Sequence, residues 1–135
     1  MVYFPAGPSG DYDNDGRLDL FLVNWFQGNR CRLLHNASPA QNHWLRVAAS
    51  DKGGNRMGIG AKVTLFQAGK LGDAAAILGH AEISTGYGYA SGQPAAAHFG
   101  LGKVSKVDLR VEFASGTVVE QQGVNAGQIL KIAAP

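Results

Sequence analysis

Residues 44–49 read WLRVAA and residues 61–66 read AKVTLF, and turn-forming residues such as Gly, Asn and Asp separate the two runs. Both runs show the two-residue alternation of a strand with one buried face. Similar short runs recur at residues 17–24, 32–35, 76–84, 96–99, 107–113, 118–122 and 128–132. Strands at this spacing are typical of two-layer sandwiches and barrels. The sequence therefore predicts an all-β fold, either an antiparallel β-sandwich or a barrel-like domain.

Three local features refine this expectation. Trp44 begins one of the alternating runs, and we expect its large ring to anchor the core. Residues 71–78 contain three consecutive alanines, but nearby glycines on both sides weaken a helix, so a turn or strand is expected there. Gly58, just before the run at 61–66, is expected to supply a positive φ or a close backbone approach.

Composition excludes several classes of protein. The chain has 135 residues, 45% of them hydrophobic, with 19 glycines, one cysteine and a formal net charge of +2. Cys31 alone forms neither an internal disulfide nor a cysteine-based metal site. No apolar run approaches the roughly 20 residues of a membrane-spanning helix, and the first residues lack the pattern of a signal peptide. We therefore expect no membrane span and no signal peptide in the chain as given. Basic residues are dispersed, so we also expect no nucleic-acid partner.

The chain divides into two parts of different character. Residues 1–36 hold four of the ten acidic residues within nine positions, whereas residues 42–132 form a glycine-rich, evenly spaced β pattern. The linking residues 36–41 (NASPAQ) have the composition of a loop. We therefore expect a domain boundary there, with one part at 1–36 and the other at 42–132.

Residues 11–19 (DYDNDGRLD) carry the strongest chemical signal. The carboxylates at positions 1, 3, 5 and 9 of this loop are Asp11, Asp13, Asp15 and Asp19. So many negative charges repel one another unless a cation lies among them, and oxygen ligands suit Ca²⁺ better than Mg²⁺. Gly16 permits a sharp turn, and Arg17 would contribute its backbone carbonyl while its side chain points away. The alternative is a solvated acidic turn without an ion.

The acidic loop does not match an EF-hand, because Leu22 stands where that motif has a bidentate glutamate. Residues 10–24, continued by residues 29–30 and 33–36 (LLHN), instead resemble FG-GAP or VCBS repeats, which place this calcium loop between strands of a propeller blade. The resemblance covers barely half a blade and implies an N-terminal β-hairpin from a partial blade. Exposed strand edges invite pairing, so we expect residues 17–36 to join the C-terminal sheet or to form a homodimer.

From residue 42 onward the chain resembles the ASPIC/UnbV domain, which in its family follows FG-GAP/VCBS repeats in secreted or surface proteins such as the cartilage acidic proteins. The blocks that carry this resemblance lie at residues 42–47, 55–63, 86–91, 98–102 and 111–116. The resemblance implies an extracellular or cell-surface location.

No catalytic motif is found. The four histidines lack the spacing of metal ligands, no nucleophile elbow is present, and we expect that the protein is not an enzyme. Residues 84–94 (STGYGYASGQP) have the composition of a recognition loop, in which Tyr87 and Tyr89 would either contact a ligand or pack inward. We therefore expect a non-catalytic, calcium-binding module for protein recognition or adhesion. The alternative is a carbohydrate-binding accessory domain, or a fragment of a calcium-dependent glycan-active protein.

Overall fold

A computed structural model describes residues 3–135 and shows an all-β fold with ten strands in three sheets. The strands are β1 Ser9–Gly10, β2 Asp19–Leu22, β3 Arg32–Leu34, β4 His43–Ser50, β5 Lys62–Gln67, β6 Ile77–Glu82, β7 Ala97–Gly102, β8 Lys106–Glu112, β9 Val118–Asn125 and β10 Gln128–Ala133. The predicted all-β class is confirmed. Within residues 3–135, no helix has the length and apolar character needed to cross a membrane.

Residues Gln41–Ser84 and Ala95–Pro135 form one compact unit built from two sheets. One sheet has the strand order β10-β4-β7 and the other has the order β6-β5-β8-β9. Both sheets contribute side chains to a single buried cluster, so the unit is a sandwich, and neither sheet closes into a barrel.

One strand pair departs from the expected antiparallel arrangement. β10 pairs with β4 in parallel, with Gln128 opposite Leu45. The sandwich therefore contains a parallel strand pair beside its antiparallel pairs. The reason is topological, because β9 and β10 lie in different sheets and do not form a hairpin. The direction of β10 is consequently not fixed by its neighbour in sequence.

The core follows the two-residue alternation read from the sequence. Leu45 and Val47 of β4 are fully buried, as are Val63 and Leu65 of β5. Trp44 lies on the other face of β4, where it is only half-buried and its ring stacks on that of His98 with centroids 6.0 Å apart. The prediction that Trp44 anchors the core is wrong. Only every second residue of a strand faces the core, and in β4 this set includes Leu45 and not Trp44.

Local expectations for the glycine and alanine positions are confirmed. Gly58 has φ of +60°, and a Cβ atom there would lie 2.6 Å from the carbonyl oxygen of Ala49. The segment 71–78 contains only a short 3₁₀ turn at Ala74–Ala76, with Asp73 as its N-cap, and then continues into β6. Nearby glycines end the alanine run before an α-helix forms.

A buried carboxylate on β8 links the turn after β5 to β9. Asp108 lies on β8 with 1% of its surface exposed. Its two oxygens accept hydrogen bonds from the backbone N–H groups of Gly69 and Gly123, both at 2.8 Å. Gly69 follows β5 and Gly123 lies within β9. The side chain of Asp108 therefore connects three adjacent strands of the sheet, β5, β8 and β9.

The second compact unit comprises the chain up to Ala40 together with Thr85–Pro94. It contains the antiparallel sheet β1-β2-β3, in which β2 and β3 form the expected hairpin. β1, β2 and β3 form a sheet of their own, so among the described residues the strands of 17–36 do not join a C-terminal sheet as the first alternative expected. The very short β1 has no recognisable sequence pattern and was not predicted.

Candidate functional site

The acidic loop connects β1 to β2 in the N-terminal unit. Antiparallel pairing of Gly10 with Asp19 brings the two ends of the loop together, so that Asp11 and Asp19 lie side by side at its base. Both are buried, whereas Asp13 is exposed. Gly16 has φ of +89° and turns the chain back toward β2, as the sequence predicted.

Hydrogen bonds to the two buried carboxylates close the loop. Asp11 accepts from the backbone N–H groups of Asp15 at 3.0 Å and Gly16 at 3.1 Å. Asp19 accepts from the N–H groups of Tyr12 at 3.2 Å and Asn36 at 2.8 Å. Each carboxylate oxygen has more than one lone pair, so a carboxylate that accepts such bonds is also able to bind a cation.

The carboxylates form two groups with spacings suited to a metal ion. Asp11, Asp13 and Asp19 each place one oxygen within 4.8 Å of the others, and an overlapping group consists of Asp13, Asp15 and His35. Ca²⁺ binds oxygen at about 2.3–2.6 Å, so oxygens on opposite sides of one ion lie roughly 5 Å apart. The all-oxygen group fits Ca²⁺ better, because this hard cation prefers oxygen to the imidazole nitrogen of His35.

Arg17 differs from its predicted orientation. Its side chain forms an ion pair with Asp15, and its Nε–H donates to the backbone carbonyl of Asn36 at 2.8 Å. The expectation that this side chain points away from the loop is therefore wrong. Opposite charges two residues apart at a tight turn attract at short range, and the planar guanidinium serves both acceptors. The proposed role of the Arg17 carbonyl remains a prediction.

Asp19 is held in its ionised form. The N–H of Asn36 is the main group that keeps the pKa of Asp19 below its usual range, while burial opposes this shift. The N–H of Tyr12 and the charges of His35 and Arg17 also lower that pKa. His35 Nδ1 lies 3.4 Å from Asp19 and 3.6 Å from Asp13.

Sequence analysis did not identify His35 and Asn36 as members of this site. Both residues follow β3, and the pairing of Leu20 with Leu34 brings the end of β3 beside the start of β2. That juxtaposition depends on the hairpin register. The sequence signals are the LLHN stretch in the repeat resemblance and the spacing between the two strands, and the spacing becomes informative once the register is known.

The two tyrosines of segment 84–94 are exposed, so the alternative of inward packing is wrong. Tyr87 is 47% and Tyr89 65% exposed. Tyr89 meets Trp25, which is 56% exposed, with ring centroids 6.0 Å apart and ring planes at 89°. Trp25 was not identified from the sequence. This perpendicular pair presents aromatic faces and edges to solvent.

The fold and the loop together define the structural class of this protein. It is an all-β sandwich in a chain that also carries a hairpin with an aspartate-rich loop. Residues 51–135 match the family model described as ASPIC and UnbV, and the chain belongs to this family. The chain is also similar to cartilage acidic protein 1 of Xenopus tropicalis, with 34% identity over 114 residues. That match covers 84% of this chain but only 16% of the relative. The predicted ASPIC/UnbV resemblance is confirmed, while the partial FG-GAP/VCBS repeat remains a hypothesis.

Proposed function

We propose that this protein is a calcium-binding module whose ion has a structural role. The observation that carries the proposal is the group of carboxylate oxygens from Asp11, Asp13 and Asp19. Asp15 and the backbone carbonyl of Arg17 would complete the ligand set. A bound ion would offset the repulsion among the carboxylates and hold the turn between β1 and β2. In this proposal the segment at 1–36 is a partial FG-GAP/VCBS repeat.

A calcium titration of the metal-stripped protein tests this proposal. Calorimetry and thermal melting would be applied to the wild type, to Asp11→Ala and to Asp15→Ala. We expect a saturable heat and a higher melting temperature in the wild type, and loss of both effects in the two variants. Glu112→Gln is the control, because it removes a negative charge from an exposed site on β8. Unchanged binding in the loop variants, or no binding in the wild type, contradicts the proposal.

We further propose that the module acts in recognition or adhesion outside the cell or at its surface, without catalysis. The name of the Xenopus relative associates that protein with cartilage, and we extend an extracellular setting to this chain as part of the proposal. β3 supports a role in association, because it is an edge strand and exposes Leu33 and Leu34. Exposed edges with apolar residues favour pairing with another chain, which includes a second copy of this one. Sedimentation of the wild type and of Leu34→Lys tests for the homodimer.

A carbohydrate ligand is the second candidate. The exposed rings of Trp25 and Tyr89 favour it, because aromatic faces stack on sugar rings and a tyrosine hydroxyl forms hydrogen bonds with sugar hydroxyls. Tyr87 lies in the same segment and is also exposed. On this alternative the chain is an accessory domain that holds a glycan for a larger calcium-dependent protein.

A further inference from the structure

The two ends of the N-terminal sheet differ in character. The acidic loop joins β1 to β2 at one end, and residues 23–31 join β2 to β3 at the opposite end. Residues 25–31 are all exposed. The N–H of Asn29 donates to the carbonyl oxygen of Phe26 at 3.1 Å, so this connection includes a hydrogen-bonded turn. The connection therefore presents its side chains to solvent at the end of β2 that lies away from the acidic loop.

Four exposed aromatic rings lie at this end of the sheet, which we call the aromatic end. They belong to Tyr3, Trp25, Phe26 and Tyr89, each between 47% and 65% exposed. Ala6 pairs with Val23 in antiparallel fashion, so the residues before Ala6 lie beside those after Val23. Tyr3 consequently meets Phe26, with ring centroids 6.3 Å apart. Tyr89 meets Trp25 at 6.0 Å, and such a concentration of exposed rings marks an interaction surface.

The aromatic end carries positive charge. It is built from three segments, residues 3–8, 23–34 and 85–94, which contain no acidic residue. Arg30 and Arg32 lie in the second segment, and both are exposed. The guanidinium carbon of Arg32 lies 5.8 Å from the ring centroid of Phe4, a cation–π contact that holds this charge beside an aromatic ring. The four acidic residues of the N-terminal unit all belong to the acidic loop, so its charges are segregated to opposite ends of the sheet.

We propose that the aromatic end docks on the surface of a lipid bilayer that contains anionic headgroups. Trp and Tyr side chains combine an apolar body with a polar tip, and they concentrate where the acyl chains of a membrane meet its headgroups. Arginines beside such rings interact with the negative charge of the headgroups. The same surface repels the acidic loop at the opposite end of β2, which favours an orientation with the aromatic end toward the lipid.

The rings of Trp25 and Tyr89 also support the carbohydrate candidate, but two features favour a bilayer over a sugar. Phe26 has no polar side-chain atom with which to bond a sugar hydroxyl, whereas acyl chains remove its ring from water. The positive charge of Arg30 and Arg32 adds nothing to the binding of a neutral sugar, yet it attracts anionic headgroups. The proposal does not involve calcium, and it stands if the proposed metal site fails.

Tryptophan fluorescence of the full chain tests the proposal, because the chain has two tryptophans and only Trp25 belongs to the aromatic end. Trp44→Phe leaves Trp25 as the reporter. Trp25→Phe keeps an apolar ring at the aromatic end and leaves Trp44, a residue of the C-terminal unit, as the reporter. The probes are vesicles of phosphatidylcholine with and without phosphatidylserine, and a third set carries bromine on the acyl chains.

Vesicles that contain phosphatidylserine should give a saturable blue shift of the Trp25 emission, since the indole leaves water. Brominated acyl chains should quench Trp25, and the emission of Trp44 should stay unchanged. No shift of Trp25 with either vesicle would overturn the proposal. An equal shift of both tryptophans would also overturn it, because the contact would then not be confined to the aromatic end.

Two matched pairs of variants assign the binding, with co-sedimentation of protein and vesicles as the measurement. Phe26→Ser should weaken binding roughly tenfold, because one ring no longer enters the bilayer. Ile77→Ser is its control, since Ile77 is also 47% exposed but lies on β6 of the C-terminal unit. Arg30→Gln should weaken binding to anionic vesicles roughly fivefold. Arg56→Gln is its control, because it removes the same charge from an exposed residue of the C-terminal unit.

The pattern of losses decides between insertion of the rings and other kinds of binding. Equal weakening within either pair would indicate diffuse attraction and would contradict docking through the aromatic end. Glycan binding that requires Trp25, together with no binding to vesicles, would favour the carbohydrate candidate and overturn the proposal.

Discussion

The carboxylate of Asp19 accepts the backbone N–H of Asn36 at 2.8 Å, across 17 residues of the chain. The same side chain also accepts the N–H of Tyr12, near the start of the acidic loop. One buried carboxylate therefore joins the loop, the first residue of β2 and the segment after β3. Charge on Asp19 consequently affects both the candidate metal site and the hairpin that supports it.

The pH dependence of the N-terminal unit is expected to reflect Asp19. Its pKa lies below the ordinary value of 3.8, chiefly because of the N–H of Asn36, so folding favours the ionised form. The stabilising contribution is fully present above pH 3.8 and is lost as the pH falls through the lower folded-state pKa. A ¹³C titration of the Asp19 carboxyl should show a midpoint below 3.8. A midpoint at or above that value would refute the assigned hydrogen bonds.

Asp13→Asn separates a calcium site from a solvated acidic turn. Asp13 belongs to both candidate metal-binding groups, yet among residues 3–135 it accepts a single, long hydrogen bond, from the N–H of Asp15 at 3.4 Å. If the loop binds Ca²⁺, the variant should weaken that binding and melt below the wild type at saturating calcium. In the metal-stripped protein it should melt at or above the wild-type temperature, because repulsion is reduced. Thermal melting with and without calcium measures both changes in melting temperature. Identical responses of the variant and the wild type to calcium would exclude Asp13 as a ligand.

Gly58→Ala should strongly destabilise the C-terminal unit. The new Cβ atom would lie 2.6 Å from the carbonyl oxygen of Ala49, and φ at this position is +60°. The left-handed conformation and the displaced backbone together should cost about 2 kcal/mol or more in urea unfolding. Gly116→Ala is the matched control, because its φ is +88° and no atom lies within 4 Å of the added carbon. Similar losses in the two variants would show that the close approach at Ala49 is unimportant.

Asp108→Asn should destabilise the same unit by removing one of two buried acceptors. The amide cannot accept from both Gly69 and Gly123, so one backbone N–H is left facing a donor. The expected cost is about 1–3 kcal/mol in the free energy of unfolding. Amide hydrogen exchange should speed up at Gly69 or Gly123. Unchanged protection at both glycines would mean that Asp108 does not hold these two backbone N–H groups.

Trp25→Ala and Tyr89→Ala test the carbohydrate alternative. If the perpendicular ring pair is a sugar platform, a glycan array should give hits with the wild type that both variants lose. Stacking losses of this kind should reduce affinity by roughly tenfold or more. Tyr12→Ala is the control, because Tyr12 is an exposed ring of the acidic loop. An array without hits would favour a protein partner.

The strands of the C-terminal unit were the most predictable part of the fold. In β4 the alternation of Leu45 and Val47 with more polar neighbours specifies both the strand and its buried face. Gly58 also lies in one of the blocks, residues 55–63, that carry the resemblance to the ASPIC/UnbV family. The same pattern did not indicate that β10 would run parallel to β4, because strand direction is a property of the complete topology. Alternation alone does not say which face of β4 is buried at its first residue, and that face belongs to Leu45 and Val47, not to Trp44.

The acidic loop was predictable because its carboxylates are close in sequence and their spacing is itself the signal. The additional groups at the site come from distant positions. His35 reaches the loop through the β2–β3 register, and Trp25 meets Tyr89 across 64 residues. The Arg17 side chain was misjudged because the choice between solvent and Asp15 depends on turn geometry. Residues that are distant in sequence come together only in the folded chain. Local sequence patterns therefore did not indicate that these side chains would be neighbours.

The parallel pair of β4 and β10 also constrains how this domain forms during protein synthesis. β4 is the first strand of its sheet to leave the ribosome, and its partner β10 is the last. One edge of β4 therefore stays unpaired in the nascent chain until residues 128–133 have emerged. Such late closure by contacts distant in sequence slows folding. The domain is consequently completed only after its last strand, β10, has been synthesised.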